Sequence, residues 1–243
     1  MNNTILLFDM DGTLTKPRNK ITQEMKTFLK EAGKKIDLGV VSGSDLPKLK
    51  EQLGDDVTEY FKFVFCENGL VTYQDGVCIG KLSFKEHVGQ EKYNKLINYI
   101  LVEISKIDIP IKTGTFIELR SGNLNVSPIG RNCSQEEREE FFKYDKEHHI
   151  REQLIEKIKK EFSELNLVFA IGGQISFDCY PVGWDKTYSL NYIKNKYSHF
   201  EFFGDRTMKG GNDYEMAQSS IINKVHQVNG PEDVMKIMKE MGL

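Results

Sequence analysis

The run Ile5-Leu6-Leu7-Phe8 and the segment Asp9-Met10-Asp11-Gly12-Thr13 that follows it decide the fold of this 243-residue chain. Four consecutive apolar residues that stop at an aspartate are typical of a strand buried on both faces, as the strands of parallel sheets are. In open α/β sheets the ligand crevice lies outside the carboxyl ends of the strands, where Asp9 and Asp11 arrive. Neighbouring carboxylates repel each other unless a cation or a shared proton neutralises them, and hard divalent cations prefer oxygen ligands. The segment therefore predicts a parallel sheet with a divalent cation at its carboxyl edge.

The Asp-x-Asp spacing also occurs in the calcium-binding loop of EF-hands, which is the alternative interpretation. In that loop the sixth position is glycine and the twelfth is glutamate. Here those positions hold Leu14 and Lys20. The spacing therefore argues against an EF-hand.

The segments around the first strand alternate between helical and strand patterns. A helix is predicted to begin after Thr22 as its N-cap and to end at Gly33 as the residue beyond its C-cap, with apolar residues at helical spacing between them. Further strands are predicted at residues 36–41, 63–66, 200–203 and 221–222, and further helices at 46–53, 188–193 and from Gly230 to the C-terminus. Strands that alternate with helices imply right-handed crossovers and a parallel sheet.

The middle of the chain has a different pattern, which predicts an inserted domain. A helical stripe covers residues 93–104, and alternating segments follow at 116–120 and 123–127. A single long charged helix is predicted over 136–160, and strands at 167–171 and 174–180 meet at Gly172-Gly173, a hairpin signal. The fold class is therefore α/β, with a Rossmann-like parallel-sheet core at residues 1–81 and 185–243. An α+β cap domain with an antiparallel sheet is inserted at 82–184.

Composition excludes several classes of protein. Lys plus Arg number 33 against 36 Asp plus Glu, for a net charge of -3, which argues against a nucleic-acid binder. No apolar run approaches the ~20 residues of a membrane span, and no signal peptide is recognisable. The four cysteines form no CxxC pair and no Cys/His cluster, which predicts a reduced, cytosolic protein without a zinc site. These cysteines are Cys66, Cys78, Cys133 and Cys179.

The residues at the predicted strand ends carry more information together than singly. Alone, Ser42 could start a helix, Lys186 could be a solvated lysine and Asp205 could lie in an ordinary turn. Together with Asp9 and Asp11 they supply a nucleophile, a proton donor, donors to phosphate oxygens and a further cation ligand. The combination predicts a site of phosphoryl transfer.

These motifs resemble those of the haloacid dehalogenase superfamily, and the inserted segment is similar to eukaryotic-type phosphomannomutases. The motifs that carry the second resemblance are Thr115-Phe116-Ile117-Glu118-Leu119-Arg120, Leu124 to Arg131, Ser134 to Arg138, Gly172 to Asp178, Gly183-Trp184-Asp185-Lys186 and Gly204 to Met208. The likeness runs from about residue 5 to about residue 215. It departs from the family at 216–220, where an acidic residue that helps many relatives to bind a second, structural cation is missing.

The resemblance implies a role for each matching residue. Asp9 would be the phosphorylated nucleophile and Asp11 the general acid/base. Mg²⁺ would be held by Asp9, the backbone carbonyl of Asp11 and Asp205, with Asp213 next to it through water. Ser42 and Lys186 would steady the transferring phosphoryl group. The other phosphate would be bound by Arg18, Arg120, Arg131 and Arg138, and the sugar phosphate and hydroxyls by Ser176 and Asp178.

The function implied is the interconversion of mannose 6-phosphate and mannose 1-phosphate through a hexose 1,6-bisphosphate, which is both intermediate and activator. The resemblance further implies a cytosolic homodimer joined through its cap domains, which acts on hexose phosphates and supplies GDP-mannose synthesis. A capped sugar-phosphate phosphatase of the same superfamily is the alternative. A catalytically inactive binding protein is a third interpretation, which predicts loss of Asp9, Asp11, Lys186 or Asp205, although all four are present.

Overall fold

The computed structural model describes residues 3–17 and 19–243, and the chain divides into two compact units. The core unit consists of Met1–Lys81 and Gly183–Leu243, and the inserted unit is Leu82–Val182. The sequence-based division placed residues 183 and 184 in the insertion, whereas the structure groups them with the core unit. The Trp184 carbonyl accepts a hydrogen bond at 3.3 Å from the side-chain amide of Asn68, a residue of the core unit.

The core unit contains a seven-stranded sheet in the order β11-β10-β1-β2-β3-β4-β5, within the part of the chain that the structure describes. Its strands are β1 (Thr4–Asp9), β2 (Asp37–Val41), β3 (Phe63–Cys66), β4 (Val71–Gln74), β5 (Val77–Lys81), β10 (His199–Gly204) and β11 (Lys224–Gln227). The strands from β11 to β3 are parallel, and β4 and β5 extend the sheet as an antiparallel hairpin. The predicted α/β fold class is confirmed.

Alternation along β1 builds two hydrophobic layers, one on each face of the sheet. Leu6 and Phe8 belong to one layer, whereas Ile5 and Leu7 belong to the opposite layer. All four side chains are fully buried. The core-unit helices are α1 (Gln23–Gly33), α2 (Leu46–Leu53), α3 (Val57–Tyr60), a 3₁₀ helix (Lys186–Tyr192), α8 (Tyr214–Gln218) and α9 (Pro231–Glu240).

Helix α1 begins as predicted but ends differently. The Thr22 hydroxyl accepts a hydrogen bond from the Met25 backbone N–H, as an N-cap does. Gly33 is the last helical residue rather than the residue beyond the C-cap, and Lys34 follows in right-handed conformation. A Cβ on Gly33 would lie 3.0 Å from the Tyr60 carbonyl oxygen, so glycine is needed there for close packing and not for a left-handed turn.

Two other core-unit predictions need correction. The hairpin of β4 and β5 was missed, although Asp75-Gly76, both with positive φ, is a common hairpin turn between two strands. The last strand is β11 and not residues 221–222. Ile221 and Ile222 instead pack against the hydrophobic layer of Ile5 and Leu7, while the edge strand β11 is mostly polar and exposed.

The inserted unit has an antiparallel four-stranded sheet in the order β6-β7-β9-β8, as the alternating segments predicted. Its strands are β6 (Ile117–Leu119), β7 (Leu124–Val126), β8 (Leu167–Gly172) and β9 (Ser176–Pro181). Its helices are α4 (Phe84–Val88), α5 (Gln90–Lys106), α6 (Gln135–His148) and α7 (Ile150–Glu161), with a 3₁₀ turn at Ser163–Leu165.

The long helix predicted over 136–160 is two helices, because the chain breaks at His149. His149 adopts a left-handed conformation (φ 54°, ψ 39°) between α6 and α7. A buried ion pair secures the break, since the Asp145 carboxylate accepts hydrogen bonds from the backbone N–H of Arg151 at 2.9 Å and from its Nε at 2.7 Å. No glycine or proline marks the break, which is why sequence periodicity did not detect it.

Candidate active site

The strand ends of the core unit bring the predicted residues to one edge of the sheet. β1 ends at Asp9, whose register partner on β2 is Val41, and Ser42 follows Val41 directly. β10 pairs with the other side of β1, and Asp205 follows its last residue. Gly12 has a φ of 86°, and a Cβ there would overlap the Asp205 carboxylate. Only glycine therefore lets the loop after β1 lie against Asp205.

Three carboxylates and one ammonium form the centre of this edge. Asp9, Asp205 and Asp213 each offer an oxygen, and these three oxygens lie within 4.8 Å of one another. Lys186 donates to Asp9 and, at 2.6 Å, to Asp213. Lys186 and Asp9 are almost completely buried and Asp213 completely. The sequence predicts that Asp213 lies next to the ion through water. In the structure its two carboxylate oxygens accept hydrogen bonds from Lys186 and from the Arg206 backbone N–H.

The trio has the properties of a cation site. Asp9 Oδ2 and Asp205 Oδ1 are buried without a hydrogen-bond partner among the described residues. A buried carboxylate oxygen without a partner is costly, and an ion would satisfy both oxygens. The carboxylates also outnumber the ammonium. Oxygen ligands with excess negative charge suit Mg²⁺ or Ca²⁺ rather than a softer metal, so the residues fit the predicted magnesium ion.

Burial and the neighbouring charges shift the pKa values of these groups. Burial raises the pKa of Asp9 to about 6, and Asp213 and Asp205 add to that increase against the opposing effect of Lys186. Burial and Asp213 likewise raise the pKa of Asp205. Burial alone would lower the pKa of Lys186, but the carboxylates of Asp9 and Asp213 outweigh it and raise that pKa. Lys186 therefore stays charged, and its single positive charge does not balance the three carboxylates.

Asp11 and Ser42 lie beside this centre rather than in the trio. The Asp11 carboxylate accepts a hydrogen bond from the Gln52 side-chain amide at 2.9 Å, and Gln52 is itself buried in α2. Ser42 is buried at the end of β2, where its hydroxyl accepts a hydrogen bond from the Ser44 N–H at 3.1 Å. Gln52 was not singled out from the sequence, because an isolated glutamine carries no motif.

A second polar cluster covers one face of the sheet in the inserted unit. Glu118, Asn125 and Asp178 are register partners across β6, β7 and β9, so their side chains form a row. The Asn125 amide donates to Asp178 at 2.9 Å and to the Ser176 hydroxyl at 3.1 Å. Phe177 and Cys179 are fully buried on the opposite face, as the alternation predicted.

Two of the predicted arginines join this row. Arg120 donates to Glu118 at 2.7 and 3.0 Å and lies 3.7 Å from Asp178. Arg131 Nη1 donates to the side-chain oxygen Oδ1 of Asn125, and Arg131 Nε lies 3.4 Å from the Glu118 carboxylate. The row thus joins basic groups to hydrogen-bonding groups, a combination that can recognise a sugar phosphate.

Comparison with known proteins then decides the family. Residues 25–242 match the family described as eukaryotic phosphomannomutase. The chain belongs to this family. Phosphomannomutase 1 of Dictyostelium discoideum is 52% identical over 240 residues, which cover 98% of this chain and 96% of that protein. The phosphomannomutase of Solanum lycopersicum is 55% identical over 232 residues, which cover 96% and 91%. Both the resemblance inferred from the motifs and the expectation of an enzyme, an isomerase that transfers phosphate, are confirmed.

Solved structures share the fold at low sequence identity. The IMP-nucleotidase of Plasmodium falciparum aligns with a TM-score of 0.61 at 16% identity, over 100% of this chain and 69% of that chain. A haloacid dehalogenase-like hydrolase of Bacteroides thetaiotaomicron aligns with a TM-score of 0.58 at 14% identity, over 98% and 99%. These similarities support the α/β fold of this member of the phosphomannomutase family.

Two predicted residues, Arg138 and Arg18, are not among the contacts described for either cluster. Arg138 is in the first turns of α6 and half-buried, and its side chain makes none of the hydrogen bonds of the row. Arg18 lies outside the described residues. Glu118 and Asn125 lie in motifs similar to those of the phosphomannomutase family, but only the structure shows that they contact Arg120 and Arg131. Among residues 3–17 and 19–243, no helix has both the length and the apolar character that crossing a membrane requires.

Proposed function

We propose that this chain interconverts mannose 6-phosphate and mannose 1-phosphate, with Asp9 as the residue that carries the phosphoryl group. The observation that carries the proposal is the buried Asp9 carboxylate. One of its oxygens is held by Lys186, and the other is without a partner among the described residues. A cation bound at that oxygen would neutralise the approaching anion, and the carboxylate could then attack phosphorus.

Residues of the core unit alone would bind and attack the reacting phosphoryl group. Asp9 attacks it, while Lys186 and the Ser42 hydroxyl donate to its equatorial oxygens. Asp9, the backbone carbonyl of Asp11 and Asp205 would hold Mg²⁺, and Asp213 is close enough to share in this. The bound ion would supply charge neutralisation for the phosphoryl oxygens.

Proton transfer falls to Asp11, two residues beyond the nucleophile. It gives a proton to the leaving sugar oxygen when Asp9 is phosphorylated and takes one from the next attacking hydroxyl. The hydrogen bond from Gln52 at 2.9 Å restrains its carboxylate. The sugar bisphosphate formed in between then returns its other phosphate to Asp9, so a hexose 1,6-bisphosphate is both intermediate and activator.

The inserted unit would bind the phosphate that is not reacting. Arginine suits this role because its planar guanidinium makes two parallel hydrogen bonds to a phosphate. The residues proposed for this phosphate are Arg120, Arg131 and Arg138 of the inserted unit, together with Arg18 of the core unit. Ser176 and Asp178, which share the Asn125 amide as donor, would bind the sugar hydroxyls.

The proposed setting is a cytosolic homodimer, joined through the inserted units, that supplies mannose 1-phosphate for GDP-mannose synthesis. All four cysteines are free thiols, which is consistent with a reduced compartment. Within this enzyme the chemistry would take place in the core unit, and the inserted unit would select the substrate.

The test is a pair of assays on one preparation. The protein is incubated with mannose 1-phosphate, Mg²⁺ and a trace of hexose 1,6-bisphosphate, and mannose 6-phosphate and free phosphate are both measured. We expect mannose 6-phosphate to form with phosphate release that is a small fraction of turnover. Release of one phosphate per sugar consumed would identify a phosphatase and refute the proposal.

A further inference from the structure

One carboxylate oxygen in the inserted unit serves both arginines of the polar row. Glu118 Oε2 accepts hydrogen bonds from Arg120 Nε at 3.0 Å and from Arg120 Nη2 at 2.7 Å. The same oxygen lies 3.4 Å from Arg131 Nε. The three side chains are between about a third and two fifths exposed, so a solute can reach them.

Glu118 contacts both guanidinium groups on the side that carries Nε. Arg120 is engaged through its Nε/Nη2 side, which leaves the Nη1/Nη2 end for a second acceptor, with Asp178 no closer to Nη1 than 3.7 Å. Arg131 is fixed at Nη1 by the buried Asn125 and faces Glu118 with Nε. The Nη1/Nη2 end of Arg120 can pair with phosphate through two parallel hydrogen bonds, and Arg131 can add a hydrogen bond from Nη2.

Two guanidinium groups so close together repel each other unless an anion lies between them. Glu118 supplies that anion before any phosphate arrives, and its place on β6 opposite Asn125 makes it part of the sheet rather than of a mobile loop. Long arginine side chains otherwise lose considerable rotamer freedom when they bind. A carboxylate that already holds both guanidinium groups removes part of this loss.

We propose that Glu118 is a positioning residue that holds Arg120 and Arg131 ready for the phosphate that is not reacting. The inference rests on the proposed function, because it takes these arginines to bind that phosphate. Glu118 itself touches neither phosphate. Its effect passes through the two guanidinium groups.

The experiment compares Glu118→Ala, which removes the acceptor, with Glu118→Gln, which keeps an acceptor oxygen. KM and kcat are measured with mannose 1-phosphate, and phosphorylation of the protein by acetyl phosphate, which has no second phosphate, is followed by mass spectrometry. Glu118→Ala is expected to raise KM about tenfold, the order of one lost charge-assisted contact, with kcat and acetyl phosphate transfer little changed. Glu118→Gln should recover most of the affinity.

The matched control is Glu156→Gln, which removes the same charge and an ion pair of 2.9 Å to Lys159 on α7. A KM for Glu118→Ala equal to that of the control overturns the proposal. A lower KM also overturns it, because Glu118 would then compete with phosphate. Equal losses with mannose 1-phosphate and acetyl phosphate would show a role in folding only, and overturn it too.

Arg120→Ala and Arg131→Ala separate this proposal from the proposed function. If both keep the wild-type KM, the assignment of the second phosphate fails, and the role of Glu118 fails with it. If the arginine variants lose affinity and Glu118→Ala does not, only the proposal for Glu118 is overturned.

Discussion

Replacing Lys186 by methionine removes the ammonium that donates hydrogen bonds to two carboxylates of the acidic trio, Asp9 and Asp213. Lys186 is almost completely buried and hydrogen-bonded to both Asp9 and Asp213. Removing one partner of a buried ion pair costs about 3–5 kcal/mol, because the other charge stays buried and uncompensated. Methionine has a similar length, so a cavity contributes little to the effect.

Protonation of Asp9 limits this loss. With a pKa of about 6 in the intact site, the carboxyl takes up a proton at pH 7 for roughly 1.4 kcal/mol. Without the lysine this cost falls further. We therefore expect Lys186→Met to lower the free energy of unfolding by about 3 kcal/mol at pH 7 in the presence of EDTA, or the melting temperature by about 6–12 °C.

Magnesium should recover more of this stability in the variant than in the wild type. Three carboxylates without the lysine depend on the ion alone, and an ion that binds only the folded protein stabilises it by mass action. The assay is urea denaturation with EDTA and with Mg²⁺, with the exposed Lys194→Met as control. A loss below about 1 kcal/mol in EDTA, or equal gains from Mg²⁺ in both proteins, would refute the reasoning on the charge balance.

Three further predictions concern single residues. Asp9→Asn should lower kcat more than about a hundredfold, because an amide cannot form the acyl phosphate; higher activity with a native circular dichroism spectrum would exclude Asp9 as nucleophile. Arg138→Ala should lower mutase kcat/KM roughly ten- to a hundredfold but leave phosphorylation by acetyl phosphate nearly unchanged; parallel losses would contradict its role at the second phosphate. Burial alone would raise the pKa of Asp56, but hydrogen bonds from Lys26 and Lys30 outweigh it and lower that pKa from 3.8 to about 2. The ionised Asp56 therefore stabilises the fold above its ordinary pKa of 3.8, and this stabilisation is lost as the pH falls towards 2. Asp56→Asn should lower the free energy of unfolding at pH 7 by about 1 kcal/mol, after allowance for solvent screening. Denaturation at pH 7 and pH 2 checks this, and a difference that persists at pH 2 would contradict the pairing.

The parts of the fold that could be predicted are those in which burial follows a simple period. Residues 5–8 are apolar on both faces and form the central strand β1, and α2 has the predicted bounds of Leu46–Leu53. Strand β11 was missed because an edge strand exposes most of its residues and needs no apolar run. The break at His149 depends on a buried contact between Asp145 and Arg151, which no local pattern records.

The candidate site, like the fold, could be predicted only in part. Asp9 and Asp205 were predictable because each directly follows or ends a strand, and parallel strands end at a common edge. Asp213 follows no strand, so sequence patterns could not show that its carboxylate reaches Lys186. Glu118 and Asn125 needed the register of an antiparallel sheet, which depends on turn geometry and on contacts far apart in sequence.

The pairing of β1 with β10 has a consequence for the synthesis of the chain. At roughly 5–20 residues per second, about ten to forty seconds separate the appearance of Asp9 from that of Gly204. The inserted unit is continuous in sequence, so it can fold during this interval, whereas β1 has only β2 beside it and leaves an apolar edge open. An open edge of this kind is a template for aggregation. Before residues 199–204 are synthesised, the nascent chain is therefore most accessible to chaperones. It is also most sensitive then to slow translation or to a truncated mRNA.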